Sequence, residues 1–307
     1  MTKRPDWLAR YLDLLGIPDP GEPSPDALAE LHRAHVERVA YENLDIQLGR
    51  PQSIDPADSV RTVLAGRGGY CYNLNGAFSE LLAALGYRVT RHRGEVHGHR
   101  RLPDPATYSN HMALTVELDG RLWMADVGLG NAHHEPMPLT EGEHRQGPFT
   151  FRLDRDPLDA MVRTDGNGDA AGTAQHWHFT HDPALKSFSG MAFTLAPAGW
   201  TDFLPGHREL STAPDSFFVR LAQLFRRDAR GFDSIVACSL TRVEDGGVRM
   251  HRELATPDDW FGAAESVFGL RLDTVTRDDR LGLWPRLLAQ QEAVQAEKAS
   301  RSQTAGL

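Results

Sequence analysis

Cys71, one of two cysteines in the chain, lies in the stretch RGGYCYNLN (67–75). Downstream, Phe78, Leu81, Leu82 and Leu85 recur at i, i+3, i+4 and i+7, and Gly86 supplies a stop, so a helix is predicted to begin at or just after Cys71. A thiol placed there meets unpaired N–H groups and the positive end of the helix dipole, and both stabilise a thiolate. Gly68 and Gly69 would let the incoming loop take backbone angles that other residues resist. A buried, inert cysteine fits this stretch equally well. Partners must decide.

The run HMALTVELDGRLWMADVGLG (111–130) alternates on both sides of Asp119-Gly120, the dipeptide suited to a two-residue type I′ hairpin. With that turn Leu118 faces Arg121, and Ala113 lies opposite Asp126. His111 shares a face with Ala113, so His111 and Asp126 become diagonal neighbours roughly 7–8 Å apart at the backbone. One side-chain hydrogen bond spans that gap. The carboxylate then fixes the imidazole tautomer and leaves the other ring nitrogen free to take a proton. Ala113, Thr115, Leu122 and Met124 around the pair are mostly apolar, which points to burial, and a buried aspartate needs a partner. A thiol, a histidine and an orienting carboxylate together attack carbonyl groups. Protease, transglutaminase and acyltransferase chemistry all suit them, and the residues by themselves lead to thiol acyl transfer and no further.

The elements that must hold this constellation read as α+β, with a helical front, a β middle and a mixed end. Leu8, Tyr11, Leu12 and Leu15 predict an amphipathic first helix. Ser24-Pro25 caps a second, with Leu28, Leu31 and His35 on one face, and a third follows Asp58 through Val60, Val63 and Leu64 to Gly66. Strands are expected at 147–153, 175–180 and, as a single run that buries Cys238, at 233–243; a polar Gly-rich loop is expected at 164–173. Helices are expected around 216–226 and 260–268, and a frayed tail from 291.

The chain is long enough for two or three subdomains, it has no apolar run of bilayer length, and its first 20 residues do not read as a secretory leader. Two cysteines without disulfide or metal spacing predict reduced thiols and a cytoplasmic protein. A net charge of −9 argues against a general nucleic-acid binder. The 14 histidines, with His97, His99, His133 and His134 in two tight groups, invite a metal reading. No cysteine or carboxylate completes a four-ligand set at recognisable spacing, so a solvated His-rich loop is expected and no metal.

RGGYCYNLNG resembles the nucleophile signature of the arylamine N-acetyltransferases, and the likeness extends over about residues 6–290. LHRAHVERVAYENLDIQLGRP (31–51), NHMALTV, ADVGLG, HHEPMPLTEGEHRQGPFTFRL (133–153) and STAPDSFFV (211–219) are each similar to a segment of that family, in order. The resemblance implies a papain-like fold in three parts: a helical bundle (1–88) carrying the cysteine, a β-barrel (89–200) carrying the histidine and aspartate, and an α/β lid (201–290). It implies a ping-pong cycle in which acetyl-CoA, a co-substrate and not a resident cofactor, acylates Cys71, and an arylamine, hydrazine or N-hydroxyarylamine takes the acetyl group. His111 is then the base and Asp126 the orienting carboxylate. Backbone N–H groups of Cys71 and Tyr72 would meet the oxyanion, and Tyr72 and Leu129 would border the acceptor. Gly128, Gly130, Ser211, Thr212, His207 and Arg208 would contact CoA. Arg67, Glu42 and Asn75 take structural roles.

Three features depart from the family pattern. Asn73 stands where Glu or Gln is usual, Leu129 replaces a phenylalanine that would wall the acceptor pocket, and STAPDS lacks the fuller lead-in. The triad is untouched by all three. The related amide synthases, which release carrier-bound polyketide chains as macrolactams, share the fold and triad and form the alternative reading, with an acyl carrier protein as partner.

Overall fold

A computed structural model describes residues 5–98, 107–155, 175–185 and 187–304. Five helices occupy the front: α1 (Asp6–Leu15), α2 (Pro25–Arg38), α3 (Leu44–Gln47), α4 (Pro56–Leu64) and α5 (Cys71–Ala84). Local chemistry accounts for their ends. Ser24 accepts a hydrogen bond from the Ala27 N–H with Pro25 in the first turn, and Asp55 caps α4 in the same way ahead of Pro56. Left-handed Gly16 closes α1, and Gly86, at φ 93°, turns the chain out of α5. The predicted stripe on α1 is buried, and it packs with Leu28, Leu31 and the α5 residues Phe78, Leu81 and Leu82 into one core.

Eight strands follow in a nearly closed, barrel-like antiparallel sheet: β2 (Arg88–His97), β3 (His111–Leu118), β4 (Arg121–Met124), β5 (Met137–Pro138), β6 (Gly142–Gln146), β7 (Phe149–Arg155), β8 (His176–Thr180) and β9 (Gly190–Pro197). Their order is β5-β4-β3-β2-β9-β8-β7-β6. The β3–β4 register is the one the sequence predicts, Leu118 opposite Arg121 through Thr115 opposite Met124, around a turn with Asp119 at φ 50° and Gly120 at φ 70°. Phe151, Phe179, Met191 and Phe193 fill the sheet interior. The α+β class expected from the sequence, with helices and a barrel-like sheet, holds.

The last part differs in detail from its expectation. A helix was expected over 216–226, but only α7 (Phe217–Arg220) is helical, after α6 (Leu204–Thr212), and the chain then extends as β10 (Gln223–Arg227). Pairing with a neighbouring strand overrides the apolar spacing there. The run 233–243 is a hairpin of β11 (Gly231–Val236) and β12 (Ser239–Glu244), turning at Ala237-Cys238 with Ala237 at φ 50°. Without glycine or asparagine the turn carries no sequence signal. With β13 (Gly247–Glu253) and β1 (Tyr41–Glu42), donated by the helical front, these strands form a sheet ordered β1-β10-β11-β12-β13. Helix α8 (Pro257–Ser266) covers it. The tail expected to fray from 291 is instead the end of α9 (Arg277–Thr304), and buried Gln291 bonds the Cys238 N–H, Ser239 and Glu253. Those contacts come from strands some 40 to 50 residues away, which local composition cannot reveal. The loop expected at 164–173 and His99 lie outside the described residues.

Several histidines are buried as neutral groups. Burial pushes His32 down to about 4 and His35 and His181 down to about 3. Unfolding lets each take a proton below pH 6.5, so what these three histidines contribute to stability is fully present above that pH and falls by about 1.4 kcal/mol per unit for each as pH falls toward its folded value. We expect the thermal midpoint to drop by roughly 10 °C or more between pH 6.5 and pH 4.5. A midpoint unchanged over that range, measured by calorimetry, would contradict it.

Candidate active site

Helix α5 opens at Cys71 itself, so the thiol stands at a helix N-terminus as the periodicity predicts. The reason for the glycine pair differs from the expected one. Neither Gly68 nor Gly69 has a positive φ. What each needs is space: a Cβ on Gly68 would lie 1.9 Å from the Ala40 carbonyl oxygen, and one on Gly69 would lie 2.5 Å from the Asn73 Cβ. The loop is thus pressed against β1, where the Glu42 N–H donates to the Gly69 carbonyl at 2.9 Å. Arg67 clamps the same junction, with Nη2 2.8 Å from Glu42 and Nη1 3.3 Å from Asp45, all largely buried. This is the expected structural pair, extended by Asp45.

The hairpin delivers the other two members. Past Met124 the ladder ends, and the Ala125 N–H still reaches the Leu114 carbonyl at 3.0 Å, which carries Asp126 alongside His111. His111 Nε2 lies 2.6 Å from Asp126 Oδ2, with both side chains buried. The second carboxylate oxygen accepts from Asn75 Nδ2 at 2.7 Å and from the Gly128 N–H at 2.8 Å. Asn75 also donates to the Met112 carbonyl at 2.6 Å and accepts from the Val127 N–H at 2.9 Å, so it welds α5 to both sides of the hairpin.

Burial alone would push the His111 pKa down, but the charge and hydrogen bond of Asp126, followed by those of Cys71, raise it to about 10. Burial likewise works against the Asp126 carboxylate, and the His111 charge outweighs it and holds the group below the usual carboxylate range. The imidazole therefore keeps its proton through neutral pH. With Nε2 committed to Asp126, Nδ1 is the nitrogen left for Cys71.

Cys71 and His111 open into a cavity of about 240 Å³ that Gly128, Leu129 and Gly130 also line. A Cβ on Gly128 would sit 2.8 Å from the Cys71 Cα, which explains glycine beside the nucleophile. Its aromatic walls are Tyr41, Phe188, Phe217, Phe218 and Phe225, with Asn110 near the thiol: Cys71 Sγ donates to its carbonyl at 3.7 Å. The aromatic residues were not legible as a site, because strands and loops far apart in sequence supply them. An adjoining cleft of about 800 Å³ shares Asn131, Ser187, Phe217, Gln223 and Phe225 and runs along the second sheet to Lys298.

Other expected contacts lie outside the Cys71 cavity. The Tyr72 ring is fully buried with its hydroxyl on the Ser109 carbonyl, so it does not line the pocket. On α6, His207 Nδ1 meets the Tyr70 hydroxyl at 2.5 Å, Thr212 bonds the Arg208 carbonyl at 2.7 Å, Ser211 is buried and Arg208 is exposed. Leu210 is the residue of that helix at the cavity. Asn73 is buried and donates to the Ser53 carbonyl at 2.9 Å. His97 pairs with His178 at 2.9 Å, and among the described residues no three metal-ligating side chains converge. Among them, too, no helix is long and apolar enough to cross a membrane.

The arylamine N-acetyltransferase / N-hydroxyarylamine O-acetyltransferase of Salmonella typhimurium is 36% identical over 71% of this chain and 88% of its own. Proansamycin X synthase of Amycolatopsis mediterranei is 28% identical over 63% of this chain and 69% of its own. The crystal structure of the Nocardia farcinica arylamine N-acetyltransferase superposes with a TM-score of 0.75 at 29% identity, over 90% of this chain and 93% of that one. Residues 25–277 match the N-acetyltransferase family model, and the chain belongs to the arylamine N-acetyltransferase family.

Proposed function

We propose that this protein carries an acetyl group from acetyl-CoA, through a thioester on Cys71, to an arylamine, hydrazine or N-hydroxyarylamine. The observation that carries the reading is the 2.6 Å bond between His111 and Asp126 behind a thiol that shares their cavity. Cys71 Sγ attacks the acetyl carbonyl carbon, and the oxyanion faces the first-turn N–H groups of Cys71 and Tyr72, which have no partner within the helix. Collapse expels the CoA sulfur, which leaves with the proton of His111. The amine then attacks the thioester carbon, His111 takes its proton, and the amide departs from the regenerated thiolate. Asp126 stabilises the imidazolium at both ends of the cycle, and Asn75 and the Gly128 N–H hold Asp126.

Of the residues that the resemblance assigns to CoA, Gly128 and Gly130 border the cavity, and Ser211, Thr212, His207 and Arg208 belong to the helix beside it. Leu129 lines the acceptor side in place of an aromatic wall, and a cytoplasmic location belongs to the same reading. The second reading, amide formation on a carrier-bound polyketide chain, is favoured by the adjoining 800 Å³ cleft and its largely apolar and hydroxyl lining. Turnover of free acetyl-CoA with a simple arylamine separates the two.

Mixing the protein with acetyl-CoA and no acceptor should add a single acetyl group, mapped to Cys71 by peptide mass spectrometry and absent from Cys71→Ala and His111→Ala. No adduct on a thiol still reactive to iodoacetamide would point to a different donor. For Asp126→Asn we expect kcat/KM to fall by about 10³–10⁴. Asn75→Ala, which removes one of the two donors to Asp126 Oδ1 and strands the Val127 N–H, should lower it by roughly 10–100-fold. Wild-type turnover in Asp126→Asn would remove the carboxylate from the mechanism, and in Asn75→Ala it would remove Asn75 from the positioning of that carboxylate.

A further inference from the structure

Tyr41 faces the nucleophile without an assigned role. Its backbone is held on one side by Phe225 of β10 and bridged on the other to Gly69, two residues before the thiol. Its ring meets the Phe225 ring edge-on at 5.9 Å and packs on the cluster that contains Ile46, Tyr70 and Cys71. The side chain is therefore fixed by contacts from three parts of the fold.

No described residue hydrogen-bonds the Tyr41 hydroxyl, and its oxygen is not among the sealed polar atoms. The residue borders the cavity that Cys71 and His111 share. Burial first, and the charge of Cys71 second, hold the phenol well above its ordinary range, so the group stays a neutral donor at working pH. Asn110, the nearest polar wall residue in sequence to the histidine, has its side chain committed to the Val96 N–H and carbonyl at 2.7 and 3.0 Å. An O–H that no group in the fold occupies, on a residue that borders the cavity, is free to donate to what enters it.

We propose that the Tyr41 hydroxyl donates a hydrogen bond to the acyl carbonyl oxygen as Cys71 attacks, completing the oxyanion site begun by the backbone N–H groups. The inference rests on the acyl-transfer reading of the site but not on acetyl-CoA as donor. As the Sγ–C bond forms, the carbonyl π pair moves onto oxygen, and Tyr41 shares its proton without transferring it. Collapse returns the pair to the carbonyl and breaks the bond to the leaving group. The interaction strengthens as charge develops on oxygen, so it acts on the rate of acylation.

Tyr41→Phe keeps the ring and its packing, and the test pairs two reactions of the same thiol. Acylation of Cys71 by 4-nitrophenyl acetate passes through an oxyanion, whereas alkylation by iodoacetamide does not. We expect acylation to slow by about 10–100-fold with alkylation changed less than twofold. Equal rates of acylation in the two proteins would overturn the proposal, as would a parallel loss of alkylation, which would place Tyr41 on the thiolate instead. Because the ester needs no CoA site, a failure of acetyl-CoA to react with the unaltered protein would count against the proposed donor alone.

Discussion

The Asp126 carboxylate is the point on which the site depends. Its two oxygens take the His111 imidazole, the Asn75 amide and the Gly128 N–H, so one buried anion joins α5, β3 and the loop beyond β4. A carboxylate taken from water without such partners would be strongly unfavourable. Its hydrogen bonds therefore specify where the helical front meets the barrel. Cys71 at the start of α5 and His111 at the start of β3 come into register because Asn75, one turn along the helix, must reach the same carboxylate.

A second constraint acts on the other side of the thiol. The nucleophile loop lies so close to the chain at Ala40–Glu42 that Gly68 has no room for a side chain, Gly69 is closed in by Asn73 of α5, and the Arg67 pairs with Glu42 and Asp45 keep the loop there. β1 is itself an edge strand of the second sheet, paired with β10. A two-residue strand thus ties the third part of the molecule to the loop that carries the cysteine. Phe225 is held at the thiol by its pairing with Tyr41 of this strand, and Phe218 by its carbonyl, which accepts from Asn43 and Gln47 just beyond the strand.

Burial has opposite outcomes for the histidines. His32 and His111 are equally buried, yet one is pushed down to about 4 and the other up to about 10. The ring nitrogens of His32 lie against the backbone carbonyls of His134 and Asp126, which are neutral groups, and the neutral ring donates its one N–H to one of them. His111 meets a carboxylate and a thiol. The sign of the shift follows from the partner's charge, because desolvation opposes the cation in both places.

Much of the chemistry was legible in the chain itself. The helix start at Cys71 follows from periodicity and a glycine stop, and the His111–Asp126 pairing follows from an Asp-Gly turn that sets the register of its hairpin. Both are local codes, readable within about 20 residues. What the tertiary structure alone decided has long-range causes. Ala237-Cys238 turns without a turn residue, Gln291 is buried by distant strands, 223–227 pairs as a strand despite helical spacing, and Tyr41 reaches the cavity because its two-residue strand joins another sheet. In each case the deciding energy is a hydrogen bond or a packed face supplied from far along the chain, and no local pattern encodes a partner that only folding brings near.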